Sequence, residues 1–144
     1  MQLYWFASTR KQIAPYAKFA CLDACNLSGK FKGMLICATN QDSNGTIFIL
    51  ALGLVPSEDE EKWLYFLRQF QNAGLANSII FCMSDRDIGL IDVVRKVFPD
   101  IPHSKFLRHL SENLKKSTAD KMQIFYNKWQ DPTMLKNTKC ILIS

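Results

Sequence analysis

No apolar run in the chain approaches the roughly 20 residues of a membrane-spanning helix, and no membrane segment is expected. The first residues carry no basic segment leading into an apolar run, so no secretory signal peptide is expected either. Repeats, low-complexity tracts and linkers are lacking, which speaks against an array of modules. Cys21 and Cys25 have no second pair to match them, which argues against a structural zinc site. The five cysteines are odd in number, and three stand inside apolar runs. Both facts favour buried free thiols over a disulfide framework. No zinc finger or helix-turn-helix for reading a DNA sequence is visible.

What remains is an ordinary globular composition. The 144 residues are 48% hydrophobic and 22% charged, enough for one compact domain. Ten Phe, four Tyr and three Trp supply a core. The net charge of +5, with a pI near 9.0, is compatible with a nucleic-acid partner but does not demand one.

Residues 1–17 read as a helical or irregular lead-in, and 18–144 as one core that lacks its C-terminal part. Residues 18–22 read as a short buried strand running into Asp23, and 33–39 as a second strand. Asn44-Gly45 is the strongest hairpin signal, because both residues tolerate positive φ. Residues 46–55 complete an antiparallel meander. Ser57 is a natural N-cap for a helix whose apolar face is Trp63, Phe66, Leu67 and Phe70, closed by Asn72 and Gly74. Residues 78–83 are continuously apolar, as a central strand would be, and lead into Ser84-Asp85. A second helix carries Ile88, Ile91, Val94 and Val97 on one side and stops at Pro99 and Pro102. Residues 103–106 read as a short fifth strand, while His103 taken singly reads as a loop residue. Helices are expected around Leu107, Leu110 and Leu114 and over 119–130, and Cys140 to Ile143 as part of an unfinished element. The fold class is α/β: a mixed sheet of about five strands, a three-strand antiparallel meander plus parallel strands, flanked by helices.

Asp23 and Asp85 hold equivalent places, each after an apolar strand. Neighbouring strands lie about 4.8 Å apart. If these two are adjacent and parallel, both carboxylates leave the sheet at the rim where open α/β sheets bind ligands. Carboxylates so close repel one another, and a divalent cation relieves the conflict. Mg²⁺ takes one or two carboxylates together with phosphate oxygens. The plainer reading is an Asp that caps a turn or the next helix.

Several segments together resemble the Mutator-like element (MULE) transposases, over roughly residues 3–116. They are Leu22-Asp23-Ala24-Cys25 with Gly29 and Gly33, then Asp42 with Asn44, then Glu58 with Trp63 and Phe66. Ser84-Asp85-Arg86 with Gly89-Leu90 follows, then Val97-Phe98-Pro99, His103, His109-Leu110 and Asn113-Leu114. The resemblance implies a ribonuclease-H-like fold and DNA strand cleavage and transfer with Mg²⁺ or Mn²⁺. It implies that Asp23 and Asp85 are the first two acids of a triad and serve as catalytic metal ligands. Arg86, beside Asp85, is the best candidate for a phosphate contact, and His109 for a supporting role near the crevice. The implied partner is DNA at transposon ends, with room for a homo-oligomer and no membrane. The expected location is the nucleus in a eukaryote and intracellular otherwise.

The chain departs from that pattern in places. Phe106 stands where the family's Cys-x-x-His motif has Cys, and Phe cannot ligate a metal. The family's third acid, a Glu, has no matching position, since Glu112, Asp120 and Asp131 lie in other contexts. The expectation is therefore a domain that is inactive or fragmentary by itself. The alternative is a non-catalytic DNA-binding or protein-interaction module derived from a transposase. Glu58 at a helix start is explained by the helix dipole, and Trp63 and Phe66 by the core.

Overall fold

A computed structural model describes residues 3–5, 17–28, 32–41, 43–84, 88–105 and 141–143. The expected helices around Leu107 and over 119–130 lie outside these residues. Strand β1 (Leu3–Trp5) is followed by a meander of β2 (Phe19–Asn26), β3 (Met34–Gln41) and β4 (Ile47–Val55). Helix α1 (Glu60–Asn72) leads to β5 (Phe81–Ser84), and α2 (Ile88–Val97) to β6 (His103–Lys105); β7 is Ile141–Ile143. Five strands form one mixed sheet, as expected from the sequence, and their order is β4-β3-β2-β5-β6. β1 pairs antiparallel with β7 in a small second sheet and lies against β4, where the sequence pointed to a helix or irregular chain.

The meander forms where the residue pattern demands it. Gly45 takes φ 81° in the turn between β3 and β4, and Gln41 Nε2 donates to the Gly45 carbonyl at 3.0 Å to close it. β2 is longer than expected. It runs through Asp23 to Asn26, because Cys25 pairs with Leu35 and Asn26 with Met34 on β3. Asp23 is thus inside a strand and not at its end.

Alternation along β2 sorts its side chains onto two faces. Ala20, Leu22 and Ala24 belong to the main core, together with Ile36 and Ala38 of β3 and Ala51 and Val55 of β4. Both helices close this face. α1 buries Trp63, Phe66, Leu67 and Phe70 at the i, i+3, i+4, i+7 spacing of one helical stripe. Trp63 and Phe66 meet edge to face, with ring centroids 5.7 Å apart. Each such side chain contributes about 1.5–3 kcal/mol by leaving water. Gly53 makes the close approach possible: a Cβ there would lie 3.0 Å from Ile36 Cγ1 and 3.1 Å from Phe66 Cδ2.

Two local expectations are corrected. The N-cap of α1 is Asp59, whose Oδ1 accepts from the Lys62 amide at 2.9 Å; Ser57 instead bonds to Asp59 Oδ2 at 3.4 Å. The buried stripe of α2 is Leu90, Val93, Val94 and Val97, with Ile91 only half-buried. A strict three-residue step drifts around a helix of 3.6 residues per turn, so Ile91 leaves the face that Val94 and Val97 share. Lys96 of α2 and Glu60 of α1 form an exposed ion pair across the helices; exposed pairs add little stability.

Candidate functional site

β5 lies beside β2 and runs parallel to it, with Phe19, Ala20, Cys21 and Leu22 opposite Phe81, Cys82, Met83 and Ser84. This is the adjacency that the two-aspartate argument required. Leu22 and Ser84 are register partners, and Asp23 and Asp85 are the residues that follow them in sequence. The same direction is shared by β4 and β6, so four of the five strands end on one rim. Asp85, Arg86 and His109 lie outside the described residues. Asp42, Phe106, Glu112, Asp120 and Asp131 do as well.

Asp23 is half-buried and stands on the sheet face away from α1 and α2. Its Oδ1 accepts from the amide of Ala24 at 2.9 Å. Around it, on the same face, are Cys21 and Cys25 on β2 and Cys37 directly opposite on β3. Cys37 is fully buried within a small apolar cluster with Leu35 and Leu52. Burial first, and the negative charge of Asp23 second, push the Cys21 thiol up to about 12. The same two causes, in the same order, push Cys25 up to about 11 and hold Cys37 well above its ordinary value.

These thiols are therefore protonated near neutral pH, and a thiol must lose its proton to bind a metal. Asp23 offers a hard oxygen donor among groups that do not compete for a hard cation. A carboxylate oxygen of this kind suits Mg²⁺ or Mn²⁺. Among the described residues, no three His, Cys, Asp or Glu side chains converge as a complete metal site.

Glu58, Lys32 and Arg95 take other places in the fold. Glu58 is half-buried and accepts from the Trp63 indole nitrogen at 2.9 Å, so it anchors the start of α1. Lys32 is exposed and precedes β3 at the rim where β2 ends, since Asn26 pairs with Met34. Arg95 is exposed on α2 and lies 3.7 Å from Asp92, away from Asp23. Among the described residues, no helix is long and apolar enough to cross a membrane.

One arrangement escaped the sequence reading. His103 lies within β6, in keeping with the strand read over 103–106 and against its reading as a loop residue, and its Nε2 is 2.8 Å from the hydroxyl of Ser84 at the end of β5. The adjacency of Ser84 to Asp85 was visible in the sequence; the parallel register that brings His103 to it was not.

The family model described as the MULE transposase domain matches residues 19–113. That span begins at the first residue of β2 and includes every element from β2 to β6. The chain belongs to the MULE transposase domain family. No curated protein matches it.

Proposed function

We propose that this chain is the two-aspartate core of a metal-dependent DNA strand-cleavage and strand-transfer domain, with Asp23 and Asp85 as ligands of one Mg²⁺ or Mn²⁺. One observation carries the reading: β2 and β5 are adjacent and parallel, with Leu22 and Ser84 in register immediately before the two aspartates. When bound, such an ion polarises a phosphodiester and stabilises the oxygens that attack and leave. Asp23 contributes a carboxylate whose neighbouring thiols remain neutral. Lys32, at the rim, is placed to hold a phosphate, and Arg86 follows Asp85 directly in sequence. Family membership supports DNA as the partner. No acid in the chain matches the family's third position, so the isolated chain holds ion and DNA without cutting.

The test is duplex binding with and without Mn²⁺, at several salt concentrations, for the wild type, Asp23→Asn and Asp85→Asn. Mn²⁺ should tighten wild-type binding and have no effect on either variant. Binding that ignores both the ion and the two substitutions, yet falls steeply with salt, would instead identify a surface binder with no metal role.

A further inference from the structure

The turn between β3 and β4 carries Asn44-Gly45, and both residues are exposed. Of the eight asparagines in the chain, Asn44 is the one that glycine follows. Asparagine is among the chemically less durable side chains. Its weak point is the next backbone nitrogen, which can attack the side-chain carbonyl carbon when nothing shields or holds it. A following side chain crowds that approach, and glycine has none.

The described asparagines differ in this respect. Asn40 is buried, and its Nδ2 donates to the Phe19 carbonyl at 2.6 Å. The nitrogen after Asn26, that of Leu27, donates to the Gly33 carbonyl at 3.0 Å. The nitrogen after Asn72, that of Ala73, donates to the Gln69 carbonyl at 2.9 Å. Asn77 is exposed, but the residue after it is Ser78, which has a side chain and is half-buried. Gly45 stands in open space: among the described residues, one atom lies within 4 Å of where a Cβ would be, Gln41 Nε2 at 3.4 Å. That Nε2 bonds to the Gly45 carbonyl oxygen, not to the attacking nitrogen.

We propose that Asn44 is a site of spontaneous deamidation, and that its isoaspartyl product loosens the β3–β4 hairpin. The Gly45 nitrogen bonds to the Asn44 side-chain carbonyl carbon. The bond from that carbon to the side-chain nitrogen breaks, and ammonia leaves with the proton from Gly45. Water then opens the succinimide ring at either carbonyl, giving aspartate or isoaspartate at position 44. No electrons are exchanged, and water is the one co-reactant. Isoaspartate routes the main chain through the former side-chain carbon. It thereby lengthens a turn whose geometry sets the strand register, next to the terminal pair Gln41 and Ile47. Either product places a new negative charge at the hairpin tip.

The test ages the folded full chain in warm, mildly alkaline buffer. Isoelectric focusing, peptide-mapping mass spectrometry and enzymatic methylation of isoaspartate follow the products. A more acidic species should accumulate, with the amide-to-acid mass change and the isoaspartyl signal confined to the peptide that holds Asn44. Asn44→Gln should abolish the shift, because the longer side chain closes its ring far more slowly. Amide hydrogen exchange in the isoaspartyl material should quicken at Ile47 and Phe48 and stay unchanged in α1. The site is overturned if Asn77 or another asparagine converts first, if Asn44→Gln acidifies as fast as the wild type, or if Asn44 converts only in urea. Unchanged exchange at Ile47 and Phe48 would overturn the loosening. Should Asn44→Gln not fold, the peptide map of the aged wild type decides by itself: first conversion at Asn44 supports the site, and first conversion elsewhere refutes it.

Discussion

The two faces of the five-stranded sheet are built from the same three strands and have opposite characters. On one, Ala20, Leu22, Ile36, Ala38 and Ala51 meet the aromatic stripe of α1 and the valines of α2. On the other, Cys21, Asp23 and Cys25 alternate with those residues and face Thr39, Cys37 and Leu35. The first face is apolar and closed by helices. The second holds a half-buried carboxylate among thiols that its charge helps to keep neutral. A strand whose alternate residues serve different purposes can carry the core on one side and chemistry on the other, so substitutions one residue apart should separate stability from function.

The largest expected contrast follows directly. Phe66→Ala removes a fully buried ring from the helix face and should cost about 3–5 kcal/mol in urea unfolding, whereas Asp23→Asn should cost about 1 kcal/mol or less. Equal losses would mean that Asp23 is a structural residue and that the two faces do not differ as described. Next is Gly53→Ala, whose added methyl meets Ile36 and Phe66. It should destabilise by about 1–3 kcal/mol through overpacking, with Mn²⁺ binding per folded molecule unchanged.

The thiol face should reveal itself at high pH. Cys21 is held at about 12 in the fold against 9.0 when unperturbed. A raised value means that the stabilisation is complete below the unfolded pKa and is lost as pH rises through the folded one. Stability should therefore decline from about pH 9 upward, and less so in Cys21→Ala measured against its own neutral-pH value. Labelling with a disulfide reagent at pH 7 should be slow for the folded chain, with half-buried Cys25 reacting before buried Cys37. Rapid labelling of Cys37 would show that the second face is open. The smallest effect belongs to the cap of α1. The Lys62 amide holds the Asp59 carboxyl below its ordinary value. Its contribution is present above the unfolded pKa and lost as pH falls through the folded one. Asp59→Ala should therefore lower Tm modestly at neutral pH and by less in acid.

Much of the fold was legible because local signals agreed. The Asn-Gly turn, the alternation on either side of it and the 3.6-residue stripe of α1 each point to one structure. The end of β2 was misjudged because Asp is disfavoured in strands, while the small residues Ala24 and Cys25 give little contrast between faces. The cap of α1 was displaced by two residues because Ser57 and Asp59 are both good caps. Pairing between β1 and β7 joins the two ends of the chain, and no local pattern announces it. At the site, strand adjacency followed from topology rules and was correct. The Ser84–His103 contact depends on a register between short parallel strands, which hydrophobic patterning does not encode.

The central claim is that Asp23 and Asp85 share one cation. A crystal of the chain soaked in Mn²⁺ and measured at the manganese edge addresses it most directly. One anomalous peak about 2.1 Å from a carboxylate oxygen of each residue, absent in Asp23→Asn, is the predicted result. A peak elsewhere, or two carboxylates too far apart for one ion to bridge, would contradict it.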